Sequence, residues 1–204
     1  MNVTLIDYGA GNLRSVCNAL RALDVEPSIA ATANDLDSPT HLVLPGVGSF
    51  GDCMAQLGDR GFLTVIRDWV AAGKPYLGIC LGYQILFDSS EESPGVEGLG
   101  IVPGHCRFFT RTPGLKIPHM GWNSVTPTNP QSPIWAGLGE EPYFYYVHSY
   151  FPVPKERGVI AATTSYGEDD FAAAIEMPNL FACQFHPEKS QDAGLRLIRN
   201  FIGR

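Results

Sequence analysis

Lys74-Pro-Tyr-Leu-Gly-Ile-Cys-Leu-Gly-Tyr-Gln-Ile-Leu-Phe87 carries a strand-like run, a cysteine between two glycines and a helix-like run in immediate succession. Residues 76–79 read as a short buried strand, Cys80 stands between Gly78 and Gly82, and residues 83–87 read as the start of a helix. A strand that turns sharply into a helix holds the turn residue in strained backbone geometry and brings neighbouring chain into contact, which is why glycine is needed on both sides. The turn aims the cysteine out of the sheet, at a helix start whose N–H groups and positive dipole end favour a thiolate and can hold an oxyanion. The competing reading is a free cysteine that simply packs in the core. The strand before and the helix after favour a nucleophile elbow with sulfur in place of oxygen.

Working outward toward the N-terminus, residues 3–6 read as a strand, 7–12 as a glycine-rich loop, and 13–23 as a helix with Leu13, Val16, Cys17, Leu20 and Leu23 on one face. The loop lacks the third glycine of a dinucleotide fingerprint, so NAD binding is weakly supported. Residues 26–30 suit a second strand, 34–36 a short helical turn, and 41–44 a third strand that ends in Pro45-Gly46-Val47-Gly48-Ser49-Phe50-Gly51. Such a loop lets backbone N–H groups approach a ligand, or it is a plain turn; without a Gly-Lys-Ser/Thr ending it is no phosphate loop. Residues 62–72 have helical spacing, and Gly73 is placed to cap that helix.

Alternating strands and helices imply an α/β fold, a doubly wound, mostly parallel sheet with helices on both faces. Ligands of such sheets bind at the carboxyl ends of the strands, where the Gly46 loop and Cys80 both fall. Beyond residue 87 the pattern changes. Apolar runs at 99–102, 106–109, 124–125, 143–151, 159–164 and 171–176 read as strands, taken as antiparallel additions in the C-terminal half. Residues 179–185 make a last strand, and 193–201 a last helix.

The 204 residues suit one domain, 1–204, and 45% apolar with 17% charged residues is ordinary for a soluble globular chain. A net charge of −7 argues against nucleic acid and against anionic membrane surfaces. No apolar run approaches the ~20 residues that span a bilayer, and the N-terminus has no secretory pattern. The five cysteines, at 17, 53, 80, 106 and 183, show neither C-x-x-C nor a metal-like spacing with histidine. Reduced thiols, a cytoplasmic location, no metal and no cofactor are the expectations.

A cysteine nucleophile needs a base and a group that orients the base. Of the histidines at 41, 105, 119, 148 and 186, His186 stands out because Glu188 follows two residues on, with Pro187 keeping His186 out of helical geometry. In extended geometry the two side chains share a face. Alone, His186 reads as a surface histidine beside a solvated glutamate. With the elbow and the glycine loop at the same sheet edge, the three-part reading is the stronger one.

Gly78-Ile-Cys-Leu-Gly-Tyr-Gln84 with the downstream His186-Pro-Glu188 resembles the triad-type (class I) glutamine amidotransferases. More narrowly, Ile6-Asp-Tyr-Gly-Ala-Gly-Asn12, Leu44-Pro-Gly-Val-Gly48, Phe87-Asp-Ser-Ser-Glu-Glu92, Pro118-His-Met-Gly-Trp-Asn123 and Val147-His-Ser-Tyr150 together resemble the family of glutaminase subunits of imidazole glycerol phosphate synthase. The resemblance covers essentially the whole chain. It implies a flavodoxin-like fold, L-glutamine as substrate, and a thioester intermediate on Cys80, with His186 as base then acid and Glu188 orienting it. It also implies an oxyanion hole from the backbone N–H groups of Leu81 and Val47, each donor worth about 3 to 4 kcal/mol. Gly46, Gly48, Gln84, Glu92, Ser149 and Tyr150 match positions that line the glutamine site. Tyr83 stands where relatives carry methionine, a mild departure.

Asn12, His119, Met120 and Trp122 match positions that face the partner in that family, although a core tryptophan and a satisfied loop histidine are the ordinary alternatives. The resemblance implies a (β/α)8-barrel cyclase as the partner in a heterodimer; independently, an active site that uses residues 46 to 188 leaves no room for an ammonia-accepting domain, so ammonia is expected to pass to another polypeptide. The expected pathway is histidine biosynthesis. Supply of ammonia to another synthase, such as one in modified-sugar biosynthesis, and a non-catalytic module of the same fold are the alternatives. Filled triad positions argue against the second of these.

Overall fold

The protein is described by a computed structural model covering residues 1–9 and 12–203. Ala10 and Gly11, the middle of the loop weighed above for dinucleotide binding, lie outside the described residues, as does Arg204. The N-terminal half runs β1 (Val3–Ile6), α1 (Leu13–Arg21), β2 (Ser28–Ala30), β3 (His41–Gly46), α2 (Phe50–Asp59), α3 (Phe62–Ala71), β4 (Tyr76–Cys80) and α4 (Leu81–Gln84). It continues with β5 (Ser89–Ser90), β6 (Gly104–Phe108), β7 (His119–Ser124), β8 (Thr126–Pro127), β9 (Tyr143–His148), β10 (Tyr150–Pro154), β11 (Ile160–Tyr166), β12 (Asp169–Met177), β13 (Leu180–Cys183) and α5 (Gln191–Ile202).

An eight-stranded sheet has the order β2-β1-β3-β4-β13-β12-β11-β8. Strands β2, β1, β3, β4 and β13 are mutually parallel, and β12, β11 and β8 extend the sheet antiparallel. Helices cover both faces, so the inner parallel strands are buried on both sides, as β4 and β13 are throughout, while the edge strand β2 is largely exposed. Side chains alternate between two cores. Val3, Leu5, Val43, Leu77 and Ile79 pack with α1 and α5, while Ile6, Leu42, Leu44 and Tyr76 pack with α2 and α3. Between β1 and β3 the winding direction reverses, and that reversal is where ligand crevices open in sheets of this order.

Four features depart from the sequence expectations. Helix α2 is the first: Gly51 and Gly58 lower its propensity, yet Phe50, Cys53, Met54 and Leu57 bury one face and the Ser49 side chain accepts the Asp52 N–H. Residues 99–102 are not a strand. Their N–H groups instead cap the carbonyls that follow α4, with Leu99 donating to Ile85 and both Ile101 and Val102 to Leu86. The apolar run 143–151 divides at Ser149, where β9 pairs with β7 and β10 pairs with β6. The helix after Cys80 begins at once, at Leu81, and lasts about one turn.

The added strands are therefore not all in the main sheet: β10-β6-β5 and β7-β9 form two small sheets of their own. Strand β9 reaches the carboxyl ends of the main sheet, where the His186 N–H donates to the Tyr145 carbonyl at 2.8 Å. No described helix is long and apolar enough to cross a membrane.

Candidate active site

Cys80 ends β4 with φ 54° and ψ −105°, a conformation that costs a residue bearing a Cβ about 1–3 kcal/mol. The flanking glycines are required by contact. A Cβ on Gly78 would stand well inside 3.0 Å of the Gly82 carbonyl oxygen, and one on Gly82 well inside 3.0 Å of the Leu44 carbonyl oxygen. Neither neighbour is a side chain that could swing away. Gly46 is equally confined, against Leu81 Cβ and the Gly82 nitrogen. The elbow is thus wedged between β3 and α4. Cys80 Sγ lies 4.0 Å from the Val147 carbonyl oxygen, and Gln184 Nε2 donates to it at 3.6 Å.

His186 holds extended geometry, and Pro187–Lys189 then form a 3-10 turn. The meeting of His186 with Glu188 is made by that turn rather than by a continuous extended segment. Glu188 Oε1 is 2.8 Å from His186 Nδ1, both side chains buried. A carboxylate only accepts, so Nδ1 carries the proton and Nε2 is the nitrogen left for the sulfur. Nε2 has no partner at ordinary hydrogen-bond geometry among the described residues. Burial by itself would lower the pKa of the ring, but the charge and hydrogen-bonding of Cys80, with those of Glu188, raise it to about 10. A ring that keeps its proton beside a sulfur is equipped to deliver that proton to a leaving amine.

These groups open onto a cavity of about 260 Å³, small for a ligand site and lined by Val47, Gly48, Cys80, Leu81, Gln84, Glu92, Val147, His148, Ser149, Tyr150 and His186. Every expected triad, oxyanion and substrate residue therefore lines this space or stands directly behind it, as Gly46 and Glu188 do. Gln84 Nε2 donates to the Tyr150 carbonyl at 2.8 Å and to Gln184 Oε1 at 3.0 Å. Glu92 Oε2 accepts the Phe50 N–H at the start of α2 at 2.7 Å, and burial raises its pKa against that hydrogen bond. Tyr83 is fully buried with its hydroxyl donating to the Ala172 carbonyl, a larger side chain accommodated in the core.

The two expected oxyanion donors differ in state. Leu81 N–H belongs to the first residue of α4, where a helix offers no acceptor of its own. Val47 N–H donates to Tyr8 Oη at 3.0 Å. Tyr8, Gln184 and His148 were not singled out from the sequence as site residues, since a tyrosine, a glutamine and one histidine of five carry no pattern until the fold brings them together.

Of the residues expected to face a partner, Met120 is 62% and Trp122 47% exposed, alternating on the outer face of β7, and Asn12 is half-buried at the start of α1. His119 points the other way and is 3% exposed, stacked between Tyr146 and Tyr166, so its ring offers no surface to a partner. Its hydrogen bonds have one consistent direction. The Tyr150 carbonyl fixes the proton of His148 on Nδ1, so His148 Nε2 accepts from His119 Nδ1 at 3.0 Å, and His119 Nε2 accepts from Asn123. Burial lowers the pKa values to about 4 for His119 and about 3 for His148, consistent with neutral rings. Strand β7 is thereby tied to the pocket segment that ends β9.

The sequence profile of glutamine amidotransferase class-I matches residues 4–203. The chain is 47% identical over 203 residues to imidazole glycerol phosphate synthase subunit HisH of Synechococcus sp. (strain JA-3-3Ab), covering 99% of this chain and 93% of that protein. It is likewise 47% identical to the protein of the same name from Thermosynechococcus vestitus, over 98% of this chain and 95% of that one. A solved glutamine amidotransferase superposes with a TM-score of 0.77 at 20% identity over 99% of this chain and 98% of its own, which speaks to the fold alone. PurLQS from Thermotoga maritima does so with 0.77 at 21%, over 99% and 97%.

Proposed function

The chain belongs to the glutamine amidotransferase class-I family, and on that premise we propose that it is the glutaminase subunit of imidazole glycerol phosphate synthase in histidine biosynthesis, a single domain over residues 1–204. The observation that carries the reading is the elbow cysteine beside a buried His186–Glu188 pair in one small cavity.

Cys80 sulfur attacks the carboxamide carbon of L-glutamine, and His186 passes its proton to the leaving amine. Ammonia departs and a γ-glutamyl thioester remains. His186 then takes a proton from water, the hydroxide attacks the thioester carbon, and glutamate leaves as the sulfur is regenerated. Glu188 holds the ring through Nδ1 and stabilises its positive charge. The N–H groups of Leu81 and Val47 stabilise the tetrahedral oxyanion. Gln84, Glu92, Ser149 and Tyr150 position glutamine, Gln84 by fixing the Tyr150 carbonyl.

Ammonia released into water at neutral pH becomes ammonium and is no longer a nucleophile, so the acceptor must lie at the end of a closed path. The partner is a (β/α)8-barrel cyclase in a heterodimer, docked on the outer face of β7 that carries Met120 and Trp122, with Asn12 at the start of α1 as a further contact. Because Val47 N–H is engaged with Tyr8, full glutaminase activity awaits a rearrangement of the Gly46–Gly48 loop when the partner binds its substrate.

The test combines the chain with such a cyclase and its nucleotide-like substrate. Glutamine-dependent product formation is expected, and Trp122→Ala should weaken association by about 30-fold or more, as an interface-centre tryptophan does. Unchanged affinity of that variant would place the docking face elsewhere.

A further inference from the structure

Tyr8 follows β1 and is 1% exposed, its ring fixed in the core beneath α2 with Ile6, Leu44 and Cys53. Its hydroxyl oxygen lies 3.0 Å from the Val47 nitrogen and 3.0 Å from the Val47 carbonyl oxygen. A phenol has one proton to give and lone pairs to receive with. The O–H therefore donates to the Val47 carbonyl while the same oxygen accepts the Val47 N–H, and two successive peptide groups are tied to a single buried atom. Burial raises the phenol pKa, so the proton needed for the donated bond is retained.

Little else restrains this part of the loop. The Val47 side chain is 38% exposed, and Gly48, at φ +101°, has open space where a Cβ would sit. Gly46, without a Cβ, allows the preceding peptide to turn.

We infer that Tyr8 is a positioning residue, a two-point latch that holds the Val47 peptide in its resting orientation and keeps its N–H from the oxyanion of the Cys80 reaction. The inference rests on the glutaminase reading above and names the side chain that sets its regulation. Presenting the Val47 N–H to the oxyanion requires the Gly46–Val47 peptide to turn and its bond to Tyr8 to break, while the bond to the Val47 carbonyl restrains the peptide group that follows. Removing one phenol oxygen removes both restraints and leaves the packing ring in place.

The experiment is Tyr8→Phe, assayed for glutamine hydrolysis alone and in the complex with the substrate-loaded cyclase, with Val47 amide exchange followed by NMR in the isolated chain. One or two net hydrogen bonds shift the loop equilibrium by about 2- to 150-fold. Unstimulated hydrolysis should rise by a factor in that range, the stimulation ratio should fall correspondingly, and Val47 amide exchange should accelerate. A purely structural role for Tyr8 would lower both rates together. An unstimulated rate that is unchanged or lower, or a Val47 amide exchanging as in the wild type, overturns the latch. Absence of glutamine hydrolysis by the wild type in the loaded complex would instead overturn the glutaminase reading, and the amide exchange would still report on Tyr8.

Discussion

Glu188→Gln isolates the charge of the buried orienting group with little change in shape. Glu188 Oε1 meets His186 Nδ1 at 2.8 Å with both side chains buried, so solvent screens the pair little. Glutamine retains an oxygen that can accept from Nδ1, so the ring keeps its tautomer and loses only the opposing charge. A hydrogen bond to a charged partner contributes about 1.5–3 kcal/mol, which at 1.36 kcal/mol per tenfold predicts a loss of about 10- to 150-fold in glutamine-dependent turnover. Because Glu188 helps to raise the His186 pKa to about 10, the alkaline limb of the pH–rate profile should move toward lower pH. Glu188 Oε2 receives no hydrogen bond from the described residues, and an NH2 group there would gain no acceptor. A stability loss of about 1–3 kcal/mol is therefore expected and is measured separately by urea unfolding. The assay compares glutamine-dependent with ammonia-dependent turnover in the complex; the first should fall and the second should not. A glutamine-dependent rate within about threefold of the wild type, with the alkaline limb unmoved, would refute the electrostatic role of Glu188.

Two further predictions concern the scaffold. Gly82→Ala drives a Cβ into the Leu44 carbonyl, so it should lower stability by about 1–3 kcal/mol or more and thermal midpoint by several degrees, whereas Gly158→Ala, with open space around it, should leave both unchanged; equal midpoints for the two variants would contradict the steric account of the elbow. The second prediction is a loss of stability on acidification. His119 and His148, lowered to about 4 and about 3 in the fold, bind protons near pH 6.5 when unfolded. Their stabilisation is present above that pH and is lost as pH falls, by about 2 kcal/mol each between pH 7.5 and 5.0. His186, raised to about 10, runs the other way; its contribution is full below about pH 6.5 and declines as pH rises through 10, offsetting about 1.4 kcal/mol over the same interval. Urea unfolding should show a net loss of about 2–3 kcal/mol at pH 5.0, and equal or greater stability there would mean the histidine pair is not held neutral.

The N-terminal half was legible because the inner parallel strands β1, β3 and β4 are buried throughout and announce themselves as short apolar runs, and because glycine on either side of Cys80 has a steric cause that reads directly from sequence. The elbow, the glycine loop and His186-Pro187-Glu188 meet where a doubly wound sheet requires. Helix α2 was hidden by two glycines that depress its propensity, although Ser49 and Asp52 carried a capping signal. The run 99–102 looked like a strand because burial and apolarity do not reveal whether N–H groups pair with a strand or cap a helix end. The 143–151 run concealed a change of partner at Ser149, since register is set by pairing across the fold and leaves no local mark. His119 illustrates the same limit: alternation on β7 sends it inward while Met120 and Trp122 face out, and only strand pairing fixes which set is which. Tyr8 and Gln184 act through distance in space alone, 39 residues from Val47 and 104 from Cys80 respectively.

That Cys80 makes ammonia for a partner is tested by Cys80→Ala, assembled with the cyclase and assayed with either glutamine or added ammonium salt. Turnover with glutamine should fall to background while turnover with ammonium stays near that of the wild-type complex. Glutamine-dependent turnover that survives the substitution would contradict the account.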